Sequence, residues 1–184
     1  MRSFIAVDVE SRDPISRLQN EIASAARWKP RGVRPVEQQN FHFTLIFLGE
    51  ITDIDAGRIK EKMQEVKFEP FTLIYQKVGA FPRPDAAKII WIGVDAAGGQ
   101  KLVALANDII SKMAELNFRA DKPFSPHMTI FRVKAGPVRI GDISAKYENK
   151  TFGSDLIDRV HLKKSDLGPS GPIYSNIYTV EAKK

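Results

Sequence analysis

Two stretches of the chain read alike. Phe41-His42-Phe43-Thr44-Leu45-Ile46 and Pro126-His127-Met128-Thr129-Ile130-Phe131 both run His-x-Thr-apolar, and nearly half the chain separates them. Each is short, apolar and bounded by turn formers, which predicts a strand. On a strand, residues i and i+2 share a face, so each histidine sits beside its threonine. A lone histidine in a strand is ordinarily a satisfied core or edge residue. Matching pairs on two strands are not required by packing and point to an internal duplication. The fold must therefore bring two similar strands from two halves around one small volume.

The rest of the chain supplies the halves. Phe4 to Val9 predicts a strand, and Asp13-Pro14 opens a helix over residues 14–27 with Ile15, Leu18, Ile22 and Ala25 on one face. Lys29 to Gln39, with its prolines and charges, predicts a loop or short edge strand. Phe41 to Leu48 is a buried strand that stops at Gly49. A second helix starts near Asp53 or Asp55 with Ile59, Met63 and Val66 inward. Phe71 to Tyr75 and Ile89 to Val94 are strands, separated by a break at Gly79-Ala-Phe-Pro-Arg-Pro84. Gly98-Gly99 leads into a helix with Leu102, Leu105, Ile109, Met113 and Leu116 on one stripe. Pro126 to Val133 is a strand, residues 137–147 a short helix, and Leu156 to Lys163 with Ile173 to Val180 a hairpin around Gly168-Pro-Ser-Gly-Pro172. The order is an α+β pattern. With no low-complexity linker, residues 1–184 are expected to form one bilobal domain in which each lobe contributes one His-x-Thr strand.

Composition narrows the chemistry. The 184 residues contain no cysteine, which excludes disulfides, a thiolate nucleophile and Cys-ligated metals, and only three histidines. No cluster of His, Cys or closely spaced carboxylates accompanies the motifs, so neither metal nor cofactor is expected. Lys and Arg outnumber Asp and Glu by 28 to 22, a net charge of +6, which suits a polyanion such as RNA or simply a soluble surface. No apolar run reaches the roughly eighteen residues of a membrane span, and the charged, uncleavable N-terminus reads as a strand. The expectation is a cytoplasmic monomer.

Two imidazoles and two hydroxyls around one volume have a specific use. One neutral histidine can take a proton from an attacking water while a protonated one gives a proton to a leaving oxygen. The hydroxyls of Thr44 and Thr129 can donate to phosphate oxygens whose charge grows during attack. A cyclic phosphodiester suits this equipment, because ring strain helps the leaving oxygen. From the residues alone, either His42 or His127 could be the acid.

The sequence resembles the two-histidine phosphoesterases, and among them the RNA 2′,3′-cyclic phosphodiesterases, once called 2′-5′ RNA ligases. The resemblance runs along nearly the whole chain. It rests on Arg2-Ser-Phe-Ile-Ala-Val-Asp8, Phe41-His-Phe-Thr-Leu-Ile-Phe-Leu-Gly49, Gly79-Ala-Phe-Pro82 with Trp91-Ile-Gly-Val94, Ser125-Pro-His-Met-Thr-Ile-Phe-Arg132 and Lys164-Ser-Asp-Leu-Gly-Pro-Ser-Gly-Pro-Ile-Tyr174. It implies a bilobal α+β fold in which two antiparallel sheets, with helices outside, face a central cleft about a pseudo-two-fold axis. It implies hydrolysis of RNA 2′,3′-cyclic phosphate ends, tRNA fragments among the candidates, to 2′-phosphate ends. It assigns His42 as proton donor, His127 as proton acceptor, and Thr44, Thr129 and Arg132 to the phosphate.

Arg132 carries a parity problem, since it lies five residues after His127 and a regular strand turns it to the opposite face. A bulge or the strand's end must re-aim it. Arg27, Lys29, Arg31 and Arg34 crowd the segment before the first motif and either guide an RNA backbone or form a solvated loop. Phe81, Phe124 and Trp91 are stacking candidates, Trp91 being better suited to the core. His161 lacks a threonine at i+2 and reads as an exposed strand residue. Two rival functions remain: 2′-5′ joining by the reverse chemistry, and a basic RNA-binding module with structural histidines. No Gly-rich phosphate loop supports ATP-driven ligation.

Overall fold

Alternating burial along the first strand sets the architecture. In β1 (Arg2–Asp8) Ile5 and Val7 face a hydrophobic core, while Phe4, Ala6 and Asp8 face the opposite way, and all but Asp8 are buried. A strand with both faces covered has to lie inside a sheet. β1 is indeed flanked by β3 (His42–Glu50) and β8 (Arg159–Leu167), and β9 (Pro172–Glu181) completes a four-stranded sheet in the order β3-β1-β8-β9. A second sheet, β2-β6-β5-β4-β7, is made of β2 (Val33–Pro35), β4 (Phe71–Phe81), β5 (Ile89–Val94), β6 (Met128–Val133) and β7 (Thr151–Ile157). Every paired ladder is antiparallel. This computed structural model describes residues 1–26, 28, 32–169 and 171–183.

Helices cover the outer faces. α1 (Arg12–Ala26) buries Ile15, Leu18 and Ile22 at helical spacing, each contributing roughly 1.5–3 kcal/mol. Its entry is tied down from across the molecule, where the Asp155 carboxylate on β7 accepts from the Glu10 and Ser11 N–H groups and from the Tyr75 hydroxyl. α2 (Asp53–Gln64) opens with a Thr52–Asp55 capping box, and α3 (Ala96–Glu115) is capped by Asp95 on the Gly98 N–H. α3 packs on β3 and β4, so one helix bridges the two sheets from behind. A short α4 (Gly141–Lys146) lies against β4.

Several boundaries differ from the sequence reading. α3 starts at Ala96, so Gly98 and Gly99 lie inside its first turn; a Cβ on Gly98 would meet the Thr72 carbonyl at 2.6 Å. β4 runs on through Gly79 to Phe81 instead of breaking there. Gly79 is required because the Trp91 indole lies across it, where a Cβ would be. The single strand expected over 156–163 is two, broken at Asp158, with β7 in one sheet and β8 in the other. Alternation cannot register a change of sheet.

Candidate active site

The two motifs stand at the mouths of β3 and β6, and these strands touch across the cleft. His42 is the first residue of β3, and His127 immediately precedes β6. Both line one cavity of about 330 Å³, together with Thr44, Thr129 and Arg132. All five residues singled out in the sequence thus meet in one place.

The two halves repeat each other beyond His-x-Thr. The His42 Nδ1–H donates to the carbonyl of Asn40 at 2.7 Å, and the His127 Nδ1–H to the carbonyl of Ser125 at 2.7 Å. In each case the partner is two residues upstream and can only accept, so Nδ1 carries the hydrogen and the neutral ring keeps its lone pair on Nε2. The Thr44 hydroxyl donates to that lone pair on His42 at 3.0 Å.

The repetition continues with a bulge in each strand. Along β3, Ala6 pairs with Thr44 and Ile5 with Ile46, which leaves Leu45 as an extra residue. Along β6, Trp91 pairs with Thr129 and Ile90 with Phe131, which leaves Ile130 extra. Leu45-Ile46 and Ile130-Phe131 are consecutive buried pairs, as an inserted residue demands. The residue five after each histidine is thereby turned onto the cleft face: Phe47 in one half, Arg132 in the other. The parity problem of Arg132 is resolved by this bulge. Phe47, 67% exposed and lining the cavity, was missed. Aligning the two motifs through their fifth residue would have found it.

The bulge in β6 is propped from outside the sheet. The Ile130 carbonyl accepts from the Val36 N–H at 2.9 Å and from Gln19 Nε2 at 2.7 Å, and Gln19 also donates to the Val36 carbonyl. Gln19 is a buried polar residue on α1 whose amide is spent on these two carbonyls. On the other side, Asn40 both fixes His42 through its carbonyl and donates from Nδ2 to the Pro172 carbonyl, tying the β8–β9 hairpin to the cavity wall.

Both imidazoles are held toward the neutral form. Burial pushes His42 down to about 4, assisted by the Lys163 and Arg132 cations and opposed by the Asn40 carbonyl and Asp8. Burial also lowers His127, with Arg132 adding to it and the Ser125 carbonyl opposing. His42 packs against the rings of Phe4 and Tyr174, at 5.1 and 5.3 Å, whereas among the described residues His127 has one ring neighbour, Phe81, perpendicular to it at 4.9 Å.

The remaining candidates divide. Phe81 lies beside His127 and against Trp91, whereas Phe124 lines a separate groove with Ile110 and Arg119. Arg34 is exposed on β2 and lines the cavity; Arg27, Lys29 and Arg31 lie outside the described residues. His161 is not exposed but buried: its Nδ1 meets the Thr179 hydroxyl at 2.9 Å and its Nε2 lies 3.7 Å from Asp8, which in turn binds the buried Lys163. Its threonine partner is on the neighbouring strand, where i+2 spacing cannot reveal it. No group of three His, Cys, Asp or Glu side chains converges anywhere among the described residues, and none of their helices is long and apolar enough to cross a membrane.

The chain is similar to known proteins along nearly its whole length. The LigT like phosphoesterase family matches residues 5–91 and 92–174, and each stretch holds one His-x-Thr motif. An RNA 2′,3′-cyclic phosphodiesterase of Archaeoglobus fulgidus is 39% identical over 183 residues, covering 98% of this chain and 100% of the relative. One from Methanothermobacter thermautotrophicus is 32% identical over 184 residues, covering 96% of each chain. Among solved structures, a Thermus thermophilus protein is 25% identical with a TM-score of 0.78, over 98% of this chain and 97% of its own. Escherichia coli LigT complexed with 3′-AMP gives 0.78 at 23% identity, over 100% and 98%, a likeness of fold.

Proposed function

Because this chain belongs to the LigT-like phosphoesterases, we propose that it hydrolyses RNA 2′,3′-cyclic phosphate ends to 2′-phosphate ends by acid–base catalysis between its two histidines. The observation that carries this reading is the pair of imidazoles lining one cavity, each with Nδ1 committed to a carbonyl and Nε2 facing the cavity's phosphate-binding side chains, His42 Nε2 against the Thr44 hydroxyl. In the reaction His127 Nε2 takes a proton from water as its oxygen bonds to phosphorus. The P–O3′ bond breaks and O3′ receives a proton from His42 Nε2, leaving a 2′-phosphomonoester. Thr44, Thr129 and Arg132 hold the non-bridging oxygens, where charge builds in the transition state.

The electrostatics fit this cycle. In the free protein both rings favour neutrality, the state a base needs. The acid is made on binding, because the negative phosphate offsets the burial that keeps His42 uncharged. Phe47, exposed at the rim, offers its ring to the terminal base. No step requires a metal, and no observation favours strand joining over hydrolysis.

The test is a nucleoside 2′,3′-cyclic phosphate incubated with the protein in EDTA and followed for product. The expected product is the 2′-phosphate, at a rate unchanged by the chelator. Loss of turnover in EDTA with recovery on adding a divalent cation, or a 3′-phosphate product, overturns the scheme.

A further inference from the structure

One side of the cavity carries more positive charge than a single phosphate needs. Arg34 on β2 and Arg132 on β6 are direct cross-strand partners, and both line the cavity. Like charges placed directly opposite on a sheet repel and weaken the pairing. Lys134 follows just past the end of β6, its N–H bonded to the Gly32 carbonyl, and lines the same cavity. All three are exposed, and among the described residues none forms an ion pair with a carboxylate. The one acidic residue on this wall, Glu37, accepts from Gln39 instead. Three adjacent unneutralised cations at a cleft mouth are costly for the fold and suited to a polyanion.

We propose that Arg34 and Lys134 form a second phosphate site, which holds the phosphodiester on the 5′ side of the terminal nucleotide. This rests on the reading above, in which Arg132 and the threonines take the cyclic phosphate. Arg132 is then the inner member of a row whose outer members meet the next phosphate along the strand. Cross-strand neighbours stand about 5 Å apart at Cβ, and both side chains are long, so the row spans more than one phosphate group. The site recognises phosphate and not base, so it makes the protein favour a strand end over a mononucleotide whatever the upstream sequence.

The experiment compares a nucleoside 2′,3′-cyclic phosphate with a short oligoribonucleotide ending in the same cyclic nucleotide, in the full chain and in Arg34→Gln, Lys134→Gln and the double variant. The parent should prefer the oligonucleotide, and the ratio of the two kcat/KM values should fall about tenfold in the double variant. The slope of log kcat/KM against log salt on the oligonucleotide should flatten by about 0.7 for each cation removed. Equal losses on both substrates would assign Arg34 to the cyclic phosphate itself and overturn the second site. An unchanged ratio and slope would overturn it too, leaving a solvated basic rim. A parent protein that turned over neither substrate would instead sink the cyclic phosphodiesterase reading.

Discussion

The β3 and β6 motifs have the same backbone and different surroundings. Both place a carbonyl two residues before the histidine, a threonine two after, and a bulge that turns the fifth residue into the cleft. On the β3 side that residue is Phe47, and His42 is walled by Phe4 and Tyr174. On the β6 side it is Arg132, with Arg34 and Lys134 beyond. One half therefore suits a nucleoside and the other a phosphate chain. In the proposed hydrolysis the leaving O3′ belongs to the ribose, so the aromatic half is where a proton donor is wanted. This asymmetry supports His42 as acid and His127 as base without appeal to the order of the motifs.

The largest effect should come from breaking the symmetric part. His42→Ala and His127→Ala should each lower turnover by about 10²–10⁴-fold with the fold retained by circular dichroism. A folded variant of either kind with near-parent activity would end the paired scheme. The fifth positions should then separate the halves. Arg132→Ala should cost about 10²–10³-fold, concentrated in kcat, because it removes charge stabilisation that grows toward the transition state. Phe47→Ala should cost about tenfold through one lost stacking face, and should weaken binding of a mononucleotide product. Equal losses at both positions would mean that the division into nucleoside and phosphate sides is wrong.

Protonation sharpens the same contrast. Ring titration by NMR should find His42 at about 4 and His127 also below 6.5 in the free protein. A depressed histidine adds stability that is complete above its unfolded value of 6.5 and is lost as pH falls toward 4; His42→Ala should remove that part of the slope. In catalysis the proton on the acid is lost as pH rises, so kcat/KM, which reports the free protein, should decline from mildly acidic pH upward. Bound phosphate raises the acid, so the alkaline limb of kcat should stand at higher pH than that of kcat/KM, completing a bell. A kcat profile that rises and stays flat to high pH would leave His42 without its role.

How much of this the sequence carried depended on the range of each signal. The five-residue site was legible because strand periodicity and duplication are local patterns in His42, Thr44, His127 and Thr129. Arg132 was legible only as a contradiction, since a bulge is decided by pairing with β5 and leaves no mark in the strand's own composition. Phe47 was hidden for the same reason. His161 was misjudged because its partners Thr179 and Asp8 come from other strands, and the break at Asp158 was invisible because β7 and β8 are each plausible as one run. Gln19 sent no signal at all: a glutamine on an amphipathic helix reads as solvent-facing until the carbonyls it serves are in view.

Gln19 gives the smallest effect and tests the bulge that separates the halves. Its amide donates to the Ile130 and Val36 carbonyls, so it holds the inserted residue of β6 and the segment leading from β2 at the same time. Gln19→Leu keeps the bulk but removes both donors. The Val36 carbonyl then loses its side-chain partner while Ile130 retains the Val36 N–H, at a stability cost of about 1–3 kcal/mol. With the bulge less firmly set, Arg132 should be misaimed part of the time, and kcat/KM should fall threefold to tenfold, on the order expected for a small displacement of a phosphate ligand. That activity loss has to travel through Arg132, so it should vanish in an Arg132→Ala background while the stability loss persists. If Gln19→Leu costs stability alone, the backbone bond from Val36 suffices to aim Arg132. If the activity losses simply add, Gln19 acts on the cleft by another route.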